Sequence, residues 1–132
     1  MAQRVGKYKI SKRESELSLR DGGHVGGSIT YASRTITSGG DAVDATNIGV
    51  LFVDKSGGNV TIGGFTGGVA GQVLHVVSTD TANNLIIEHN EGGGNQDIHV
   101  GNGDITYTAT AGGLTLVCVG STWTAIQGHD LS

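Results

Sequence analysis

From residue 25 onward the chain consists of short runs of apolar and β-branched residues, each soon interrupted by Gly, Asn, Asp or Ser. No stretch there repeats its apolar positions with the period of a helix, so the body can bury apolar surface only as short strands. With 24 Gly and no Pro, the connections must be tight turns or points where backbones approach closely. The runs predict strands near 28–31, 34–37, 48–54, 59–62, 72–78, 84–89, 97–100, 104–110, 113–119 and 122–126. Ser56-Gly57-Gly58-Asn59, Ala82-Asn83-Asn84 and Ala111-Gly112-Gly113 read as hairpin turns, because Gly and Asn tolerate positive φ. Three units of strand, turn and strand echo one another, starting at Val50, Val73 and Ile105. Their spacing is too uneven to assert a solenoid. The expected fold is therefore all-β: a Gly-rich β-sandwich or β-prism-like meander of short hairpins.

Large side chains are scarce. The aromatics are Tyr8, Tyr31, Phe52, Phe65, Tyr107 and Trp123, and Val, Ile and Thr supply most of the rest. A domain with so thin a core has a small margin over chain entropy, so contacts between copies are expected to add to it. Closed cyclic symmetry is the usual arrangement. Phe52, Leu74, Ile86, Leu116 and Trp123 are the candidates for core or oligomer packing. Cys118 is the only cysteine, so no internal disulfide can form; it reads as a small buried hydrophobe.

The net charge of −4 conceals an asymmetry. Arg4, Lys7, Lys9, Lys12, Arg13 and Arg20 stand against Glu14 and Glu16 in the first twenty residues, a balance of +4. Only Arg34 and Lys55 offset the ten acids that follow, a balance of −8. The composition changes at Asp21-Gly22-Gly23. The expected organisation is a basic, extended N-terminal arm over 1–23 and a Gly-rich β domain over 24–132. Within the arm, Lys7-Tyr8-Lys9-Ile10 and Glu16-Leu17-Ser18-Leu19 alternate as strands would on a partner's sheet edge. Arg4, Val5, Lys7, Tyr8, Ile10, Lys12, Arg13, Leu17 and Leu19 are accordingly the candidate anchoring residues. Cations mixed with acids, without interleaved aromatics, argue against nucleic acid as the partner. The N-terminus has no apolar core of a signal peptide, and no run approaches the length of a membrane helix.

One long stretch resembles a known class. Gly68-Val69-Ala70-Gly71-Gln72-Val73-Leu74 is followed by Ile87-Glu88-His89, then by Leu114-Thr115-Leu116, and ends in Gly120-Ser121-Thr122-Trp123. Over about 47–126 this resembles the Gly-rich β modules of tailed-phage virion appendages, the head-fibre, decoration and tail-fibre proteins. Val119 stands where an acidic residue usually precedes Gly-Ser-x-Trp. The resemblance implies a virion structural protein, assembled in the host cytoplasm, whose chains trimerise about a threefold axis. Its partners would be further copies of itself and another virion protein, the major capsid protein first. A short chain with its own Met suits a compact capsid decoration or head fibre better than a full tail fibre. The rival is a tail-fibre or receptor-binding module whose loops 63–71 and 90–97 read a host surface glycan.

Candidate chemistry is sparse, and neither catalysis nor a cofactor is expected. Asp97 and His99 would share a strand face and Asp104 lies nearby, but no Ser occupies a nucleophile elbow. His75, His89 and His99 fall on three predicted strands, where a threefold axis could gather copies around a metal; scattered histidines are the simpler reading. The Gly92-to-Asp97 and Gly101-to-Asp104 runs are out of step with calcium-binding repeats and read as turns. Gly63 to Gly68 lacks the Lys-Ser/Thr ending of a phosphate loop.

Overall fold

The computed structural model describes residues 22–24 and 26–126, and over these the chain is all-β, without a helix. Its strands are β1 (Ser33–Ile36), β2 (Val43–Asp44), β3 (Val50–Val53), β4 (Val60–Ile62), β5 (Gly64–Thr66) and β6 (Val73–Ser78). They continue as β7 (Asn84–Ile87), β8 (Gln96–His99), β9 (Ile105–Thr108), β10 (Gly112–Cys118) and β11 (Thr122–Ala125).

The first seven strands wind in stacked coils, an arrangement like a β-solenoid. On one face β1, β3 and β6 lie parallel, with Ser33 beside Val50 and Val50 beside His75. On a second face β4 runs parallel to β7, and Gly40 bridges to Ile62. On the third, β2 runs parallel to β5. The winding then reverses. A loop with Asn90, Gly93 and Gly94 at positive φ turns the chain, and the Asn90 amide donates to the Ile98 carbonyl (2.8 Å). From there β8 runs antiparallel to β5, β9 to β7 and β10 to β6. Finally β11 folds back on β10 and lies parallel to β8, joining two faces into one eight-stranded sheet.

The expected meander of hairpins is thereby corrected. Ser56-Gly57-Gly58-Asn59, Ala82-Asn83-Asn84 and Ala111-Gly112-Gly113 are corners between faces, because the strands they join pair with strands of other coils. Burial explains the preference. β3, β4, β6, β7 and β10 alternate buried with more exposed residues, and coiling brings the buried sets of the three faces onto one interior. Leu51, Val76 and Leu114 stack as neighbours there, as do Ile62, Ile87 and Ile105. A free hairpin would cover only one side of itself. Among the described strands the single hairpin is β10–β11, which turns at Gly120 (φ +116).

Two strands escape the pattern-based reading, and one predicted strand does not form. β2 and β5 are only two and three residues long, and β5 lies within the Gly63–Gly68 run that reads as a loop. Residues 28–31 are exposed and pair with no described strand. Tyr31 lies over Gly49, where a Cβ would fall 2.9 Å from the Tyr31 Cβ, and its ring is 6.2 Å from that of His75.

Leu74, Leu116 and Trp123 are fully buried in the core. Phe52 and Ile86 point the other way: each is half-buried on an outward face, between buried neighbours. The arm residues Arg4, Val5, Lys7, Tyr8, Ile10, Lys12, Arg13, Leu17 and Leu19 lie outside the described residues.

Candidate functional site

The corner between the third and first faces brings together the two ends of the Gly-rich motif, Gly68 and Gly120 to Trp123. Gln96, at the start of β8, is its centre. Its Nε2 donates to the carbonyls of Gly68 (2.9 Å) and Gly120 (2.8 Å). Its Oε1 accepts from the Gly68 amide (3.0 Å) and from Trp123 Nε1 (3.1 Å). One side chain thus ties the β5–β6 connection, the β10–β11 turn and the buried indole together. Gly68 cannot be larger, since a Cβ there would sit 2.3 Å from the Trp123 ring. Phe65 packs against the same indole, with ring centroids 5.3 Å apart. Gln72 does equivalent work one coil away, donating to the carbonyls of Ala45 (2.7 Å) and Ile48 (2.9 Å).

Outside this clasp lies a shallow cleft of about 330 Å³ lined by Thr66, Gly67, Gly94, Asn95, Gln96 and Ser121, with Phe65 behind them. The loops 63–71 and 90–97 meet here, and no lining residue is charged. The side chains of Thr66, Asn95 and Ser121 border this cleft and make no hydrogen bond to another described residue.

The corner between the first and second faces rests on a cation. Lys55 is completely buried, and Nζ donates to the carbonyls of Asp80 (2.8 Å), Ala82 (3.0 Å) and Thr110 (3.2 Å). The Asp80 carboxylate is 3.8 Å from Nζ, and its other oxygen accepts from the Lys55 amide at 2.8 Å. Three donors meet three carbonyls from the ends of successive coils, which satisfies the ammonium completely. Nothing in the sequence around Lys55 distinguishes it from a surface lysine.

The corner between the second and third faces is acidic. Asp41 and Glu88 converge on Gly63, whose absent Cβ would lie 2.3 and 2.7 Å from their carboxylate oxygens. Partial desolvation, then the charges of Glu91, Asp104 and Asp41, push the Glu88 carboxyl above its ordinary pKa. Among the described residues no three side chains of His, Cys, Asp or Glu are grouped to hold a metal. The predicted Asp97–His99 pair is not made: Asp97 accepts from the Gly92 amide (2.6 Å), and His99 faces His89, with ring centroids 5.6 Å apart. Asp104 accepts from the His89 amide (2.8 Å), and His75 bonds Thr115 (2.8 Å).

The outward side of the first face is uncharged and rich in valine. Its rows are Val50, His75 and Thr115; Phe52, Val77 and Gly113; and Val73, Val117 and Thr124. Val73 is 44% exposed, and Val69 and Val119, at the adjoining corner, are 65% and 61% exposed.

No family model, curated protein or solved structure matches this chain.

Proposed function

We propose that this chain is a non-enzymatic structural protein of a phage virion, of the capsid-decoration or head-fibre type. Its β body associates as a homotrimer, and its basic N-terminal arm, with Arg4, Lys7, Lys12 and Arg13, docks on another virion protein, the major capsid protein. The virion assignment rests on the resemblance of the Gly68-to-Trp123 motif. The observation that carries self-association is the uncharged, valine-rich outer face of β3, β6 and β10. The non-enzymatic reading is supported by Asp97 and Asp104, whose carboxylates are engaged by backbone amides.

The test is the mass of the purified protein in solution, measured by light scattering beside a variant lacking residues 1–20. A trimer in both places assembly in the body and leaves the arm free to anchor. Val77→Asp, which sets a charge beside Phe52, should then return the body to a monomer. A monomer in every case sinks the reading. For location, the protein should co-purify with heads that lack tails.

The uncharged cleft favours a second reading, in which the loops 63–71 and 90–97 bind a neutral host glycan. A glycan array probed with the intact protein and with Asn95→Ala separates the two. Binding that Asn95→Ala abolishes supports the receptor-binding reading, and an array with no signal removes it.

A further inference from the structure

The link between β8 and β9 carries a reactive pair. The chain has seven asparagines, and Asn102 alone is followed by glycine. The others precede Ile48, Val60, Asn84, Leu85, Glu91 and Gln96, whose Cβ atoms crowd any approach of their own amide nitrogen to the preceding carboxamide. Three of those six are also held in place. Asn59 accepts from the Asn84 amide (2.9 Å), Asn83 donates to the Lys55 carbonyl (2.7 Å), and Asn84 accepts from the Ala109 amide (3.2 Å). Asn102 is exposed, and neither its side chain nor the Gly103 amide makes a hydrogen bond to another described residue. A Cβ built on Gly103 would meet nothing within 4 Å. Among the described residues, then, nothing holds the Asn102 carboxamide away from the Gly103 nitrogen.

The link is pinned at both ends to one residue. The Val100 amide donates to His89 Nδ1 (3.2 Å), and Asp104 Oδ1 accepts from the His89 amide (2.8 Å). Asn102 stands midway between these clamps, at the acidic corner where the Asp104 charge already acts on Glu88.

We propose that Asn102-Gly103 is a self-modifying site, at which the folded protein deamidates without an enzyme. The Gly103 amide nitrogen bonds to the side-chain carbonyl carbon of Asn102. The bond from that carbon to the carboxamide nitrogen breaks, and this nitrogen leaves as ammonia with the proton that the Gly103 amide gives up. Water then opens the cyclic imide. Opening at one carbonyl gives aspartate at position 102; opening at the other gives isoaspartate, whose main chain runs through the former side chain. Either product adds a negative charge to the acidic corner. Isoaspartate also adds one main-chain atom between the two clamps, and so releases a His89 bond. This does not depend on the virion reading.

Peptide mapping by mass spectrometry of the intact protein, aged in warm neutral buffer, tests the site. Asn102 should exchange its NH2 for OH at least ~10-fold faster than Asn95, which is also exposed and unbonded but precedes Gln96. Gly103→Ala, which fits the open space there, should slow the reaction by a similar factor and leave the unfolding midpoint unchanged. Equal rates at Asn102 and Asn95 overturn the proposal, as does a Gly103→Ala chain that converts as fast as its parent. Hydrogen exchange then reads the clamp. The peptide holding His89 should exchange faster in the isoaspartyl fraction than in Asn102→Asp, which adds the charge without the extra atom. Equal exchange in the two overturns the release of His89.

Discussion

At the corner after β3 the coils are joined by a buried ammonium, and at the corner before β6 by neutral amides. Lys55 and Gln96 perform the same task, each collecting backbone groups from separate turns of the stack, yet their energetic settings differ. Lys55 is sealed from water and gives all its donors to carbonyls. Gln96 is half-buried beside an open cleft, where water can replace part of what it supplies. A charged tie tolerates no loss of partners, whereas an amide tie at the rim can be rearranged. The lysine corner is thus the one sealed from water, and the glutamine corner is the one that opens on a cleft.

The largest effect is expected at the lysine corner. Lys55→Met keeps the stem but strands three carbonyls, and should cost about 3–5 kcal/mol by chemical denaturation. A loss below about 1 kcal/mol would show that water enters this corner as freely as the other. Next comes Gln96→Ala, at roughly 1–3 kcal/mol, with the Trp123 N–H and the Gly68 and Gly120 backbones left to solvent. The ratio of these two losses measures the difference between the corners.

Gly68→Ala sharpens the contrast by steric means. A methyl group 2.3 Å from the indole must displace Trp123 or the loop, at about 1–3 kcal/mol, and tryptophan fluorescence should shift with it. An unshifted spectrum at full stability would mean that the loop, not the indole, yields.

The smallest effect belongs to the first coil. Hydrogen bonds from Thr46, side chain then amide, followed by Arg34, lower the Asp44 carboxyl from 3.8 to about 2. The folded state therefore favours ionised Asp44. Its contribution is complete above about pH 4 and fades as the pH falls toward 2. Asp44→Asn should flatten the acid limb of the stability profile in that window. An unchanged acid limb would show that the Thr46 and Arg34 contacts of this exposed carboxylate contribute nothing to holding the first coil.

Alternation over β3, β6, β7 and β10 made those strands legible, because a half-buried strand leaves a period of two in its side chains. The inward places of Leu74 and Leu116 follow from the same period. The opposite placement of Phe52 and Ile86 follows from it too, since each lies one residue from a buried neighbour. β2 and β5 were not legible: two or three residues cannot display a period, and both are held by pairing across the stack, β2 with β5 and β5 with β8. Of the candidate site, Gly68, Gly120 and Trp123 stood out as parts of the motif, but Gln96 lay outside it in a run that reads as a turn, and nothing local hinted that it clasps those three residues. Lys55 had no local signature whatever, since its three partners lie 25 to 55 residues away.

By itself the sequence determined an all-β chain of short strands turning at Gly and Asn, because β-branched runs and positive-φ residues act through local sterics. Only the tertiary structure decided that those turns are corners instead of hairpins, that the winding reverses between β7 and β8, and that a lysine lies in the interior. Those outcomes depend on which strand finds a partner one coil away. That choice is made by shared burial and by carbonyls distant in sequence, which no local pattern records.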